Sequence, residues 1–230
     1  MRVAVLFSGG KDSCYTIMRS IEQNLDVELL LTLSPRSDDS WLFHHPCIQW
    51  TSLQAEAMGL PIVTRNIEAE GEAERDELEK QLTDIKSHFN IEGIVAGTIA
   101  SQYQKKRIVE TARSLRLECI TPLWGREPLG LLRDQIESGL NVIIAAVSAL
   151  GLDHKWLGKR LDKEAVEELD RLKTKHGLNP SGEGGEYETF VLDGPLFRKK
   201  IVIQKYHKTW DGERGHLEIE VAKLGNKKQA

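Results

Sequence analysis

A doubly wound α/β fold, with a parallel five-stranded sheet and a smaller C-terminal α+β domain, is what this sequence predicts. Three observations carry that expectation. From Val3 to Ile120, short apolar runs alternate with stretches of helical periodicity, the pattern of a parallel sheet covered on both faces. A glycine-rich turn, Ser8-Gly9-Gly10-Lys11-Asp12-Ser13, directly follows the first apolar run. The composition then shifts after Pro122-Leu123-Trp124-Gly125. This places an α/β domain at residues 1–124 and a smaller α+β domain at 125–230.

Taken in order, Val3-Ala4-Val5-Leu6-Phe7 is an unbroken apolar run of strand length, and the helix after the turn reaches about Gln23. Val27–Leu33 is a second strand ending in Ser34-Pro35, and Arg36–Ser40 is a polar loop. Ile48–Met58 reads as a helix closed by Gly59, and Pro61-Ile62-Val63 as a short third strand. Within the charged stretch Glu68–Phe89, Leu78, Leu82, Ile85 and Phe89 recur at helical spacing. Glu68, Glu70, Glu72 and Glu74 there read as a solvated loop and first turns. Ile91–Gly97 is the fourth strand, Gln102–Leu115 a helix and Glu118-Cys119-Ile120 the fifth strand.

Beyond Trp124, Pro128 suits a helix start and Gly139 its close. Asn141–Val147 is strand-like, Leu150–Lys159 a loop, and a helix runs from Asp162 to a stop at Gly177. Ile201–Gln204 and Leu217–Val221 form a terminal hairpin around Asp211–Gly215. A strand is expected over Glu186–Val191, with Glu186, Glu188 and Phe190 on one face and Tyr187 and Thr189 on the other.

The 230 residues are 40% hydrophobic and 29% charged, as in soluble globular proteins, and the net charge is −4. That mild acidity disfavours nucleic-acid binding by bulk electrostatics. The N-terminus runs straight into the first strand, and no apolar run approaches membrane-spanning length. Cys14, Cys47 and Cys119 are widely spaced, which fits a reducing cytoplasm and offers no disulfide framework. His44, His45 and Cys47 lack a fourth ligand for zinc. No motif sets the oligomeric state, and a homodimer is compatible with the chain.

A buried strand, a glycine turn and a helix start make an anion site, because the first turn's N–H groups and the helix dipole both face the ligand. Gly9 and Gly10 permit close backbone approach, Ser8 and Ser13 supply hydroxyls, and Lys11 supplies positive charge. Asp12 is placed to cap the helix or hold Mg²⁺. If the first and fourth strands are neighbours, Gly97 and Thr98 line the same crevice, with Leu33 and Ser34 at the end of the second strand nearby, beside the base of a bound nucleotide if the loop holds one. The stretch Ser181–Phe190 packs Glu183, Glu186 and Glu188 among glycines. Same-face carboxylates repel unless a cation or donor joins them.

The order Ser-Gly-Gly-Lys-Asp-Ser resembles the loop of the ATP pyrophosphatases, or PP-loop enzymes, and departs from the common Gly-x4-Gly-Lys-Ser/Thr loop. With Trp41-Leu42-Phe43-His44, Gly97-Thr98-Ile99-Ala100-Ser101, then Tyr103, Gln104 and Arg107, Pro122-Leu123-Trp124, and Gly182–Phe190, the chain resembles the diphthine–ammonia ligase family. The likeness runs from Met1 to about Val202. It implies an adenine nucleotide alpha hydrolase-like fold. It also implies ATP-dependent amidation of diphthine, a trimethylammonium-bearing modified histidine on translation elongation factor 2. By that likeness the diphthine carboxylate attacks the α-phosphate of ATP, and ammonium supplies the nitrogen directly, with AMP and pyrophosphate released.

The same resemblance implies that Ser8, Gly9, Gly10, Lys11 and Ser13 hold phosphates beside Mg²⁺. Catalytic roles fall to Lys11, Asp12, Glu183, Glu186 and Glu188, the glutamates attracting the quaternary cation or ammonium, or deprotonating the latter. Substrate contacts fall to Phe43, His44, Ser101, Tyr103, Gln104, Arg107, Trp124, Gly184, Gly185, Tyr187 and Thr189, with Tyr187, Trp124 or Tyr103 as the aromatic face. The runner-up is a PP-loop tRNA-modifying enzyme, a thiolase or lysidine-type ligase, though no cysteine pair for sulfur transfer is present. A nucleotide-binding sensor without catalysis is the non-enzymatic alternative.

Overall fold

The computed structural model describes residues 1–35, 47–67 and 73–227. The first sheet is parallel with strand order β3-β2-β1-β4-β5, built from β1 (Arg2–Leu6), β2 (Asp26–Pro35), β3 (Ile62–Ile67), β4 (Gly93–Val95) and β5 (Glu118–Ile120). Its first two strands are continuous apolar runs because both faces are buried. Val3, Val5 and Phe7 enter one core cluster, whereas Ala4 enters another. In the same way Leu30 faces the first cluster and Leu29, Leu31 and Leu33 the second.

Helices α1 (Lys11–Glu22) and α2 (Thr51–Met58) belong to the first cluster's side. Helices α3 (Ala73–His88) and α4 (Gln102–Ser114) cover the second, through Leu78, Leu82, Ile85, Ile108 and Ala112. A 3-10 turn at Ile48–Trp50 precedes α2, and Gly59 ends α2 in the left-handed conformation.

The second sheet is antiparallel with order β7-β6-β9-β8. Its strands are β6 (Asn141–Val147), β7 (Tyr187–Asp193), β8 (Lys200–Trp210) and β9 (Gly215–Gly225), accompanied by α5 (Pro128–Glu137) and α6 (Lys163–His176). Glu127 caps α5 and Asp162 caps α6, each carboxylate accepting N–H groups of the first turn. The two sheets do not have separate cores. Val142, Ile144, Phe190 and Val191 share the cluster that holds Val3, Ile17 and Leu30.

Several boundaries differ from the sequence reading. Strand β3 continues to Ile67, paired along β2 as far as Pro35↔Ile67. Strand β4 is shorter than the expected Ile91–Gly97 and covers Gly93–Val95. Both hairpin strands run to 11 residues. On β8 the stretch Gln204–Lys208 is exposed and carries no apolar alternation to read, whereas β9 buries Leu217 and Ile219. Strand β7 starts at Tyr187, so Glu186 lies before it rather than on a shared face with Glu188.

Candidate active site

Strands β1 and β4 are paired neighbours, Val3↔Gly93 to Val5↔Val95, so the strand order reverses between them. A crevice at the carboxyl ends of the strands at such a reversal is where open α/β sheets bind ligands. Ser8–Ser13 leaves β1 there and becomes the N-terminus of α1. Gly9 has φ +82°, which only glycine adopts without strain. A Cβ on it would collide with Gln54 Oε1. Gly10 is the N-cap, in extended conformation, and α1 has no side-chain cap. This corrects the capping role expected of Asp12, which sits inside the first turn. Ser13 Oγ donates to the Gly10 carbonyl at 3.0 Å, and Ser8 Oγ lies 3.3 Å from Ser13 Oγ.

Gly97, at the end of β4, presses on α1. A Cβ there would lie 2.9 Å from Thr16 Oγ1 and 3.3 Å from the Asp12 carbonyl. Thr98 beside it is buried. The two loops therefore lie side by side, at the ends of the neighbouring strands β1 and β4. Leu33 faces the core from the end of β2, which leaves half-buried Ser34 at that rim. Phe43 and His44 fall outside the described residues, as do Glu68, Glu70 and Glu72.

Lys11 is 3% exposed, not the surface residue its loop position predicts. The segment 181–189 covers it. Its Nζ donates to the Ser181 carbonyl at 2.6 Å and pairs with Asp12 Oδ2 at 2.8 Å. Burial works against its charge, but Asp12, Tyr187 and Glu188 outweigh it and hold the ammonium above the ordinary lysine value. The Lys11 N–H donates to Thr189 Oγ1 at 3.0 Å, and the Val191 N–H donates to the Gly9 carbonyl at 3.2 Å. The glycine loop is thus stitched to β7 along its length.

Each glutamate of the acidic stretch has its own place. Glu183 Oε1 accepts from the N–H groups of Ala100 at 2.9 Å and Ser101 at 3.0 Å, with Ile99 at 3.4 Å. These are the turn before α4, where Ser101 is the N-cap and accepts from the Gln104 N–H. A carboxylate at a helix start is favoured by the dipole. Glu186 accepts from the Asn179 N–H at 3.1 Å and the Gly184 N–H at 2.9 Å, which closes its own loop around exposed Gly184 and Gly185. Glu188 is half-buried on β7, close enough for its charge to act on Lys11 and Tyr187.

The aromatic residues expected to face a cation already face one from the protein. Lys105 Nζ stands 3.8 Å over the Trp124 ring, the Arg107 guanidinium 3.4 Å over Tyr103, and Lys11 Nζ 5.4 Å from the Tyr187 centroid. Tyr187 is 2% exposed and donates its hydroxyl to the Pro180 carbonyl at 2.6 Å. Burial, the largest cause, pushes its phenol up.

Comparison with known proteins shows the family. The diphthamide synthase N-terminal domain model matches residues 1–119, and the diphthamide synthase C-terminal domain model matches 127–224. The chain belongs to the diphthine–ammonia ligase family. It is 42% identical over 222 residues to the diphthine–ammonia ligase of Rattus norvegicus and 40% to that of Homo sapiens, covering 88% of this chain and 83% of each relative. The Schizosaccharomyces pombe relative is 37% identical over 220 residues, and the match spans 36% of its length.

For this diphthine–ammonia ligase family member the sequence reading missed four residues that shape the site. Gln54 of α2, fully buried, donates to the carbonyls of Gly9 and Val191, both at 2.8 Å. Gln135 of α5 donates to Asp12 Oδ1 at 2.8 Å. Ser181 supplies the carbonyl under Lys11, and Asn179 Oδ1 holds Ser181 through its N–H and Oγ. An isolated glutamine on a helix has no local signature. The nearest available signal was the proximity of Asn179 and Ser181 to the glycine-rich stretch.

Proposed function

We propose that this protein amidates diphthine on translation elongation factor 2, consuming ATP and ammonium and releasing diphthamide, AMP and pyrophosphate. The observation that carries the reading is the junction of the two motifs. The loop at the strand-order reversal and the acidic segment 181–189 meet through Lys11, Thr189, Ser181 and Val191. Nucleotide and acyl acceptor are then gripped by adjoining parts of one site.

In this reading Ser8, Gly9, Gly10, Lys11 and Ser13 hold the phosphates, and Gly97 and Thr98 line the α-phosphate side of the crevice. Ser34 and the Leu33 backbone border the adenine. The diphthine carboxylate attacks the α-phosphate, forming the acyl-adenylate as pyrophosphate leaves. Ammonia then displaces AMP. Lys11 offsets the negative charge that develops between the phosphates. Glu188 draws ammonium toward the activated carbonyl, while Glu183 and Glu186 keep the substrate loop in shape. Ser101, Tyr103, Gln104, Trp124, Gly184 and Gly185 form the wall on which the modified histidine docks, buried Arg107, Tyr187 and Thr189 support it from behind, and Phe43 and His44 are further substrate contacts.

Among the described residues no group of three His, Cys, Asp or Glu is placed to hold a metal. Mg²⁺ needs no such cage, since it is bound through one or two carboxylates plus substrate phosphates. Asp12, with its side chain 31% exposed at the loop, fits that use. Bound there, Mg²⁺ would supply charge neutralisation at the phosphates. No described helix is long and apolar enough to cross a membrane, and an elongation-factor substrate puts the reaction in the cytoplasm. The test is incubation with ATP, Mg²⁺, ammonium and diphthine-bearing elongation factor 2, followed by mass spectrometry of the modified histidine. Conversion of the carboxylate to the amide is expected. An unconverted residue, or AMP formation driven by tRNA instead, would overturn the reading.

A further inference from the structure

Gln135 is fully buried on α5, far along the chain from the glycine loop, yet its amide reaches Asp12 at the start of α1. The Asp12 carboxylate is divided between two donors. Oδ1 accepts from Gln135 Nε2 at 2.8 Å, and Oδ2 pairs with Lys11 Nζ at 2.8 Å. Gln135 Oε1, by contrast, has no partner among the described residues. A buried amide half satisfied in this way is a cost that Leu or Met would avoid while filling the same space. Packing therefore does not account for a glutamine here, whereas its one donation does.

We infer that Gln135 is a positioning residue for adenylation, fixing the Asp12 carboxylate so that Asp12 and the Ser181 carbonyl together hold the Lys11 ammonium in one place beside the glycine loop. Without that donor, Asp12 is free to turn both oxygens to Lys11 and draw the ammonium away from the phosphates. Hydrogen bonds to charged groups are the stronger kind, so the loss falls on the step in which charge develops. The residue comes from beyond Trp124 and reaches across the shared core. It therefore ties the second half of the chain to the phosphate loop. This inference rests on the proposed cleavage of ATP at the α-phosphate.

The test compares wild type, Gln135→Met, Asp12→Asn and the double variant. Pyrophosphate release is measured with ATP, ammonium and diphthine-bearing elongation factor 2, and thermal unfolding is recorded for each. The expected result for Gln135→Met is a drop in kcat of about tenfold or more, with KM for ATP changed far less. In the Asp12→Asn background the same change should have little further effect, because the two residues act as one unit. If the Met variant does not fold, Gln135→Asn, whose shorter amide does not reach Asp12, is read in the same way. Wild-type kcat in the single variant, or losses that multiply in the double variant, would overturn the inference. Absence of pyrophosphate from the wild type would instead sink the underlying reading, and this inference with it.

Discussion

Glu183 separates a structural clamp from a chemical group. Its Oε1 receives the N–H groups of Ala100 and Ser101 at 2.9 and 3.0 Å, with Ile99 at 3.4 Å, and so joins the acidic segment to the start of α4. Glu183→Gln keeps an oxygen acceptor but removes the charge. The loss is the helix-dipole term and the charge-assisted part of two hydrogen bonds, about 1 kcal/mol together. Glu183→Ala removes the acceptor itself and leaves the turn's N–H groups, exposed at Ala100 and half-buried at Ser101, to water, at about 2 kcal/mol. For a chain of this size each kcal/mol lowers Tm by about 2–4 °C. The Gln variant should therefore melt about 3 °C lower and the Ala variant about 6 °C lower. Differential scanning calorimetry reads both, beside amide formation by mass spectrometry. The Gln variant should keep much of its activity. A Gln variant with unchanged Tm and no amide product would refute the clamp and return Glu183 to the chemistry.

Lys11→Met leaves the buried Ser181 carbonyl without its donor, costing about 2 kcal/mol, while pyrophosphate release should fall at least about a hundredfold; undiminished release would contradict its role. Gly9→Ala forces a left-handed backbone on alanine and drives a methyl against Gln54, so it should lose about 2 kcal/mol of stability and weaken ATP binding by calorimetric titration. Affinity equal to wild type would show that the loop conformation does not matter. Burial raises the thiol of Cys14, with Asp12 adding to it, and pushes that of Cys47 up to about 12. Their protons are kept in the folded state but lost from the unfolded chain above about pH 8.5, so each cysteine lowers stability by about 1.4 kcal/mol per pH unit beyond that point. Denaturant midpoints at pH 8, 9 and 10 (roughly the window before lysines titrate) should fall, and Cys47→Ala should flatten the slope. An equal slope in that variant would contradict the assignment.

The first sheet was legible because both of its faces are buried, which turns strands such as Leu29–Leu33 into continuous apolar runs. The glycine loop was legible for a different reason. A glycine turn between a buried strand and a helix start is a local pattern, and Gly9 takes the positive φ that the turn requires. What stayed hidden depends on contacts between distant parts of the chain. Lys11 looks like a surface residue until Ser181 and Thr189 are folded over it. Gln54 and Gln135 earn their place only through Val191 and Asp12, which no local pattern announces. Glu186 was grouped with Glu188 by strand alternation, but the backbone N–H groups of Asn179 and Gly184 draw its carboxylate into the preceding loop. The β8 half of the hairpin was underestimated because Gln204–Lys208 is exposed and offers no apolar alternation, while its partner β9 buries Leu217 and Ile219 and was read from them.

The choice of phosphorus is tested most directly by following one oxygen atom. The diphthine carboxylate on elongation factor 2 is labelled with heavy oxygen, and the products of a turnover with ATP and ammonium are examined by mass spectrometry. Attack on the α-phosphate predicts one labelled oxygen in AMP and none in pyrophosphate. Label found in orthophosphate, with ADP as the nucleotide product, would show activation at the terminal phosphate and contradict the role assigned to Ser8–Ser13.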